Sequence, residues 1–416
     1  MSEIHLDVAE RIGMQLCRDA VRWDGRANWL GDSMELCGDQ WRVAHKSFGG
    51  DLYSGTSGIA LFLAELDRFR PDPLLRDTAR AAIEHALPQN GVVRASGAPL
   101  EDGSASSFYS GAFGAGYAAA EIGALFDDAS LVERGLAVAK KATAQVSEPS
   151  YDILTGSAGW IGPLLRLYER THEKWMLDAA KRAGEHLVRT ANRSERGASW
   201  GSIPKEVAAH DLTGYSHGTA GAGIALLELH RATGEQSFLD TANAAFAYER
   251  AWFSQEHQNW PDFRSRINPE GQPEQFSCGL AWCHGAPGIG LSRLRAWKLT
   301  GDTTYRDEAL IALRATHAPL SQPSGELPFA LCHGMAGNAE LFIEAAETIE
   351  DPQWIAVAEA IGVRGIDYYH HARRRWPCGI QGGGETPGLL LGLAGIGWFY
   401  LRLHDRAGVP SVLLVH

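Results

Sequence analysis

Seven apolar, helix-like runs dominate the hydrophobic pattern of this chain. They occupy residues 59–66, 115–126, 160–170, 222–232, 289–299, 338–349 and 396–404. Because these runs are apolar on most sides, they predict inner, largely buried helices. More amphipathic stretches lie between them, at 72–87, 128–146, 174–191, 236–253, 302–318 and 351–370, and predict outer helices. Strand signals are weak throughout, so we predict an all-α fold.

The same short pattern, Gly-x-x-Gly, opens each of the seven runs. The first glycines are Gly55, Gly111, Gly156, Gly218, Gly285, Gly334 and Gly392. A period of about 45–67 residues indicates a repeat architecture in which each unit is one supersecondary element. Glycine at such a junction accepts positive φ and lets two backbone segments approach closely.

The end of the repeat series favours a closed arrangement. An open solenoid needs polar terminal repeats, yet the last repeat, 389–403, is as apolar as the middle ones. We therefore predict an α/α toroid, a closed ring of about seven inner and seven outer helices with its glycine loops at one mouth. We expect one domain over 1–416. Residues 1–50 would be a helical lead-in, with a helix over 3–23 and one more within 24–50.

Composition and charge argue against several classes of protein function. An apolar fraction of 45% and a charged fraction of 21% are typical of a globular protein with an ample core. The net charge of −12 argues against a general nucleic-acid or anionic-membrane surface, although Arg373–Arg375 remain a local basic patch. No apolar run reaches the roughly 18 residues of a membrane-spanning helix, and no secretory signal is evident. We expect a cytoplasmic protein.

The residues that could bind a metal or take part in catalysis lie just before the first glycines. Three consecutive repeats have histidine there, at His217, His284 and His333, and the last two are preceded by Cys283 and Cys332. The two cysteines occupy the same repeat position, so they are expected to meet, with His333 as the natural third ligand. Two thiolates, one imidazole and an open fourth position are the stoichiometry of a catalytic zinc site. His284 also follows a cysteine and is an alternative ligand.

The charge of this ligand set suggests its chemistry. Zinc with two thiolates is formally neutral, so a third, substrate thiolate there would be deprotonated near neutral pH yet electron-rich enough to attack. Hydrolases that activate water more often use histidine and carboxylate ligands. We infer thiol activation, with a substrate that brings its own thiol.

Three histidine-containing motifs and the tail resemble one family. The motifs are Trp-Cys-His-Gly-Ala-Pro-Gly at 282–288, Leu-Cys-His-Gly-Met-Ala-Gly at 331–337 and Gly-Tyr-Ser-His-Gly-Thr-Ala-Gly at 214–221. Together with 386–414 they resemble the lanthionine synthetase C-like (LanC-like) cyclases, and in motif style the cyclase domain of fused lanthipeptide synthetases. The resemblance covers at least 45–416.

The resemblance implies an α/α toroid with a zinc ion held by Cys283, Cys332 and His333. It implies addition of a peptide cysteine thiolate to dehydroalanine or dehydrobutyrine, which forms a lanthionine or methyllanthionine thioether ring. His217 matches the family's histidine proposed to assist proton transfer, and Asp152 matches an active-site aspartate.

Two positions depart from the stand-alone class I cyclases. Those enzymes typically follow the first zinc cysteine with tyrosine and place an arginine four residues before it, where this chain has His284 and Gly279.

A proton donor is needed because attack at Cβ leaves an enolate at Cα. Histidine, with an ordinary pKa of roughly 6.5, can supply that proton at neutral pH. Our hypothesis is that His217 or His284 protonates the enolate while Asp152 orients an imidazole. An aspartate before a helix is often only an N-cap, which is the alternative for Asp152 and the expectation for Asp51. Cys278 is a spare thiol close to Cys283 in sequence.

The predicted function is therefore a zinc-dependent cyclase of ribosomally made, dehydrated precursor peptides. One alternative is intermolecular addition of glutathione to dehydroamino acids, and another is a non-catalytic scaffold that holds a precursor peptide in a modification complex. No dehydratase domain is recognised in the chain, so a separate dehydratase or modification complex is the expected partner.

Overall fold

The computed structural model describes residues 3–37, 40–87, 106–144, 150–201, 208, 210–264, 275–321 and 327–416. Fourteen α-helices occur in these ranges. They are α1 (Glu3–Asp19), α2 (Thr56–Phe69), α3 (Pro73–Ala86), α4 (Ala112–Leu125), α5 (Ala129–Ala142), α6 (Ala158–Thr171), α7 (Lys174–Thr190), α8 (Thr219–Thr233), α9 (Gln236–Ala251), α10 (Ala286–Thr300), α11 (Thr303–Ser321), α12 (Met335–Thr348), α13 (Pro352–Gly365) and α14 (Leu393–His404). A π-helical turn, Ile366–His371, follows α13. None of the helices in these ranges is both long and apolar enough to cross a bilayer.

The predicted inner helices are all present as α2, α4, α6, α8, α10, α12 and α14. Their burial matches the pattern where side chains are described throughout the helix: every residue of α8 from Thr219 to Leu229 is buried. Outer helices carry a single buried stripe, as in α7, where the buried positions include Met176, Ala180 and Leu187. The apolar runs therefore form the core, and the amphipathic stretches cover it.

The described chain forms two compact units. One comprises Met1–Gln145, Ser324–Ile343 and Pro352–Val412, and the other comprises Val146–Pro323, Glu344–Asp351 and Leu413–His416. In the first unit α2 packs against α4 and α14, each inner, and against its outer partner α3. In the second unit α8 packs against α6 and α10 and against its outer partner α9. The prediction of a single domain over 1–416 stays a prediction.

The N-terminal helix has a packing role that the sequence did not indicate. Helix α1 packs against α14 and also contacts α2 and α3. Its buried face includes Leu6, Ile12 and Leu16. Six outer helices follow an inner helix in the chain, whereas α14 receives its outer partner from the opposite end of the sequence.

The expectation of a second helix within 24–50 is wrong. The structure has two antiparallel hairpins there, β1 (Val21–Trp23) with β2 (Arg26–Asn28), and β3 (Leu30–Cys37) with β4 (Gln40–Ser47). A third hairpin joins β5 (Asn192–Ser194) to β6 (Gly197–Ser199). The missed signal is Asp24-Gly25, whose φ values of 49° and 71° are those of a tight hairpin turn.

The second glycine of every repeat is required by a close backbone approach. A Cβ built on it would lie 1.7–2.2 Å from the carbonyl oxygen six residues earlier, closer than any real side chain allows. This holds in all seven repeats, for Gly58, Gly114, Gly159, Gly221, Gly288, Gly337 and Gly395. The loop therefore folds back onto the first turn of its own inner helix. This confirms that glycine in the Gly-x-x-Gly pattern lets two backbone segments approach closely.

Hydrogen bonds between equivalent loop residues join neighbouring repeats. In the first unit the Tyr53 amide donates to the Tyr109 carbonyl, the Leu390 amide to Tyr53, and the Cys332 amide to Leu390, at 2.8–2.9 Å. In the second unit the Ser216 amide donates to the carbonyl of Cys283 at 3.3 Å. All six residues occupy the position two before the first glycine. Within each unit, the sequence equivalence of the repeats is therefore an equivalence in space.

A charged residue lies ten positions after the first glycine of every repeat. These residues are Glu65, Glu121, Arg166, Glu228, Arg295, Glu344 and Arg402. Three of them take part in two buried ion pairs between inner helices: Arg295 of α10 pairs with Glu228 of α8, and Arg402 of α14 pairs with Glu340 of α12 at 3.0 Å. Removing one partner of a buried pair leaves an uncompensated charge, so these pairs fix the alignment of adjacent inner helices.

We predict that Gly395→Ala destabilises the protein by about 1–3 kcal/mol or more, because its Cβ would lie 1.8 Å from the Leu389 carbonyl oxygen. The measurement is the urea midpoint and the unfolding free energy. Gly384→Ala is the matched control, since its nearest atom would be 3.6 Å away. Equal stabilities for the two variants would contradict the close-approach explanation.

Candidate metal centre and active site

The loop before α10 carries two candidate residues and depends on two glycines with positive φ. Cys283 and His284 precede Gly285, the N-cap of α10, which has a φ of 90° and lies against the Gly279 carbonyl. Gly214, with a φ of 109°, packs against the same segment, where an added Cβ would lie 3.0 Å from the Cys283 carbonyl oxygen. Side chains at Gly285 or Gly214 would displace Cys283 and His284.

Asp152 and His217 form a hydrogen-bonded pair. The Nδ1 atom of His217 lies 2.8 Å from Oδ2 of Asp152, whose side chain is only 4% exposed. The other carboxylate oxygen, Oδ1, accepts from the amide and hydroxyl of Thr155 at 2.6 and 2.9 Å. Asp152 is therefore both a loop cap and the partner of an imidazole. Asp51 caps the corresponding loop of the first repeat through Ser54 and Gly55, as expected.

The pKa of His217 is raised. Burial acts to lower it, but the hydrogen bond to Asp152 and the negative charges of Asp152 and Cys283 outweigh that effect. The Tyr151 hydroxyl donates to the His217 carbonyl and helps to hold the loop. Because Nδ1 is held by Asp152, Nε2 is the ring atom from which His217 can exchange a proton.

His284 lies next to His217 in a contrasting environment. The two rings are stacked with their centroids 5.4 Å apart and 23° between their planes. His284 is 5% exposed, and neither ring nitrogen has a hydrogen-bond partner among the described residues. Burial lowers its pKa to about 4. Of two neighbouring imidazoles, one thus has a raised pKa and the other a lowered pKa, a contrast typical of separate acid and base roles.

In the described part of the chain one group of side chains could hold a metal ion, and it consists of Cys283, Cys332 and His333. Their candidate ligand atoms all lie within 4.8 Å of one another. Bonds of roughly 2.0–2.3 Å to a tetrahedral zinc ion require ligand atoms on this scale of separation. His284 and Cys278, the alternative ligands, are not in the group.

The orientation of the His333 ring also fits metal binding. Its Nε2 atom lies 2.8 Å from the carbonyl oxygen of Gly379, so Nε2 carries the proton and Nδ1 is left as the electron-pair donor. Metal-binding histidines are generally held in this way by a carbonyl or carboxylate. A side chain on Gly379 would place its Cβ 3.1 Å from that Nε2 atom. Gly379 was missed by sequence reasoning because the contact uses a backbone atom.

The remaining cysteines lie apart from this group. Burial raises the pKa of the Cys278 thiol to about 11 and that of Cys378 to about 12. Cys378 packs against the Thr386 amide at 3.5 Å, Cys17 is buried, and Cys37 is exposed on β3. Burial also raises the pKa of the Cys17 thiol, so the ionised form is disfavoured in all three of these cysteines.

The sequence matches one family model over most of its length. The model for lanthionine synthetase C-like proteins matches residues 46–414. The chain belongs to the lanthionine synthetase C-like family. The resemblance recognised in the motifs is therefore confirmed.

The curated relatives of this family member share only 21% and 29% sequence identity with it. It is 21% identical over 410 residues to the lacticin 481/lactococcin biosynthesis protein LcnDR2 of Lactococcus lactis subsp. lactis, covering 94% of this chain and 39% of LcnDR2. It is 29% identical over 127 residues to the glutathione S-transferase LANCL1 of Danio rerio, covering 30% of this chain and 29% of LANCL1. The chain thus spans well under half the length of these relatives.

Solved structures establish the fold of this LanC-like protein. Nisin cyclase matches with a TM-score of 0.67 and 16% identity, covering 98% of this chain and 96% of that one. The predicted all-α, α/α toroid fold class is confirmed by this match. The glycoside hydrolase family 76 α-mannanase BT2949 of Bacteroides thetaiotaomicron matches with a TM-score of 0.51 and 10% identity, covering 97% and 96%.

We predict that Asp152→Asn lowers the pKa of His217, because the carboxylate charge and hydrogen bond raise it in the native protein. NMR titration of labelled histidines measures this value, with the resonance assigned by the His217→Asn variant. A raised imidazole pKa stabilises the fold fully below about pH 6.5, and that contribution is lost as the pH rises through the raised pKa.

The matched control is Asp51→Asn, which neutralises the equivalent loop-capping carboxylate of the first repeat. It should leave the pKa of His217 unchanged. An unchanged pKa in Asp152→Asn would show that the pair does not govern this histidine.

Proposed function

We propose that this LanC-like protein is a zinc-dependent cyclase of dehydrated peptides. It would add cysteine thiolates to dehydroalanine or dehydrobutyrine within one ribosomally made precursor and so form (methyl)lanthionine thioether rings. The observation that carries the proposal is the Cys283, Cys332 and His333 group, with His284 next to Cys283 in the chain and stacked on His217. Family membership and the nisin cyclase fold support the same reaction class.

The donor set fits zinc and does not fit calcium or magnesium. Two thiols and an imidazole nitrogen are soft and borderline ligands, whereas calcium and magnesium prefer oxygen. The hydrogen bond from His333 to Gly379 leaves Nδ1 available for the ion. When bound, zinc would lower the pKa of a coordinated substrate thiol and so supply thiolate near neutral pH.

The protein's own residues would then deliver one proton to the Cα atom of the reacting dehydroamino acid. As the thiolate sulfur forms a bond to Cβ, the π electrons of the dehydroamino acid move toward its carbonyl and leave an enolate. Protonation at Cα completes the thioether. His217 is the better donor of the two histidines, because Asp152 holds Nδ1 and raises the pKa while Nε2 remains free to deliver the proton. Buried, neutral His284 would position His217 and exclude water.

The same site chemistry supports a second candidate, the addition of glutathione to a dehydroamino acid. The partial similarity to the glutathione S-transferase LANCL1 favours it, although the match covers 29% of that protein. The bond formed is identical, and only the source of the thiol differs. A peptide with both cysteine and dehydroalanine, assayed with and without glutathione, distinguishes the two reactions. A non-catalytic scaffold would bind the peptide and zinc without turnover.

A dehydrated precursor peptide is the substrate that this function requires. LcnDR2 is a lacticin 481/lactococcin biosynthesis protein, which agrees with a peptide substrate for its LanC-like relative. Dehydration by a separate dehydratase or modification complex, and a cytoplasmic location, stay predictions.

Metal content is the first test of the proposal. We expect about one zinc per chain in the wild type, and a loss or weakening of zinc in Cys283→Ala, Cys332→Ala and His333→Ala. Cys278→Ala is the matched control and should retain the metal. Folded wild-type protein that holds no zinc and takes none up would overturn the zinc-dependent mechanism.

The second test compares the two histidines by their cyclisation rates. We expect His217→Asn to slow ring closure by about 10²–10⁴-fold, the usual contribution of a general acid. His284→Phe keeps a buried ring against His217 and should cost less. Zinc content, measured in parallel, should be unchanged in His217→Asn. A larger loss in His284→Phe than in His217→Asn, at equal zinc content, would reverse the assignment.

A further inference from the structure

A strongly basic segment follows α13 and is not used by the proposed reaction. Arg373, Arg374 and Arg375 are consecutive and exposed. No ion pair to any of the three is found within the described part of the chain. The whole protein carries a net charge of −12, so three neighbouring guanidinium groups without carboxylate partners are unusual on its surface.

Nearby groups add to the positive character of this segment. Arg11 of α1 donates through Nη1 to the His370 carbonyl at 2.9 Å, which brings a fourth guanidinium to the segment. Arg364 lies over the exposed ring of Tyr368, with its guanidinium carbon 5.5 Å from the ring centroid. The π-helical turn contains one acid, Asp367, which lies 3.6 Å from His371. Two further acids lie close by: Oε1 of Glu385 accepts from the Trp376 amide at 2.8 Å, and Asp7 of α1 acts on the pKa of His370. The guanidinium groups of Arg11, Arg364 and Arg373–Arg375 outnumber these carboxylates, so the local balance of charge is positive.

The backbone holds the three arginines in a defined turn. Arg373 has a φ of 52°, which costs a residue with a side chain of order 1 kcal/mol. The Arg373 amide donates to the His370 carbonyl at 3.3 Å, and the Arg374 amide donates to the Tyr369 carbonyl at 3.0 Å. The arginines therefore project from a fixed turn.

This turn leads directly into the loop that orients His333. The Phe329 amide donates to the Pro377 carbonyl at 2.6 Å, and the Gly379 carbonyl accepts from His333. Gly379 is four residues beyond Arg375, so at most about 14 Å of extended chain separates them. A peptide of a few residues is long enough to reach from the arginines to His333.

We propose that Arg373–Arg375 bind an acidic segment of the peptide substrate that lies outside its ring-forming residues. Guanidinium groups pair with carboxylates through two parallel hydrogen bonds, which makes a run of Asp or Glu the matching ligand. Binding there holds the rest of the peptide near the candidate metal centre and raises its local concentration. The inference rests on the proposed function, because it assigns the substrate of that site.

A peptide fits this surface better than a nucleic acid does. Nucleic acids carry one charge per nucleotide along their whole length and favour broad basic surfaces. Here the basic segment is short and the rest of the chain is strongly acidic, so a long polyanion is repelled beyond the patch. A short run of carboxylates matches the size of the patch.

The test is fluorescence anisotropy with three labelled probes: a synthetic decapeptide of alternating Glu and Ala, the same peptide with Gln for Glu, and a ten-nucleotide single-stranded DNA. The variants are Arg374→Glu/Arg375→Glu and a control with the same change of charge, Lys140→Glu/Lys141→Glu. The control lysines lie in the last turn of α5. Arg373 is kept because of its backbone conformation.

We expect the full-length protein to bind the Glu peptide and not the Gln peptide. Arg374→Glu/Arg375→Glu should weaken binding of the Glu peptide by about tenfold or more, with little change in the control, and added salt should weaken it further. Equal losses in both double variants, equal binding of both peptides, no binding of the Glu peptide, or tighter binding of the DNA would overturn the inference.

Turnover is measured separately with a short cysteine- and dehydroalanine-containing peptide that lacks acidic residues. We expect Arg374→Glu/Arg375→Glu to cyclise this peptide at the wild-type rate. If the wild type cyclises nothing yet binds the Glu peptide as described, the cyclase proposal fails while the arginine site stands as a peptide-binding site. If turnover is normal but acidic-peptide binding does not depend on Arg374 and Arg375, only the assignment of the arginine site fails.

Discussion

The close approach of each loop to the first turn of its own inner helix is the constraint on which the structure depends. The loop carbonyl lies where a Cβ would stand on the second glycine, so the turn closes only around glycine. This geometry recurs seven times and sets the direction in which each apolar helix leaves its loop. Backbone bonds between equivalent residues, such as Cys332 to Leu390, then join one loop to the next within a unit.

This loop geometry also decides where chemistry can occur. The two residues before each first glycine are presented at equivalent places, so their identity can change without changing the fold. The repeats that have cysteine and histidine there supply the candidate zinc ligands. Two histidines then differ in pKa because their surroundings differ. Asp152 raises the pKa of His217, whereas burial without partners lowers the pKa of His284 to about 4. Two stacked imidazoles are thereby suited to different roles.

The fold itself does not specify this chemistry. A family 76 α-mannanase has a related fold at 10% identity, with a TM-score of 0.51. The activity of an α-mannanase concerns a polysaccharide and not a peptide. The buried helices therefore provide a general support, and function depends on a few loop residues and on what surrounds them. The proposed arginine site likewise lies outside the buried helices, in the turn after α13 that leads into the loop that orients His333.

Local, repeated signals were sufficient to predict the helices and their alternation, because apolar periodicity and glycine spacing are properties of neighbouring residues. The shared repeat position of the two cysteines also led to the grouping of Cys283, Cys332 and His333 as candidate ligands. Contacts between distant residues decided the rest. Packing of α1 on α14, the carboxylate of Asp152 shared between Thr155 and His217, and the Gly379 carbonyl that orients His333 each join parts of the chain that no local pattern connects. A backbone carbonyl is present at every residue, so only the tertiary structure selects the one that acts.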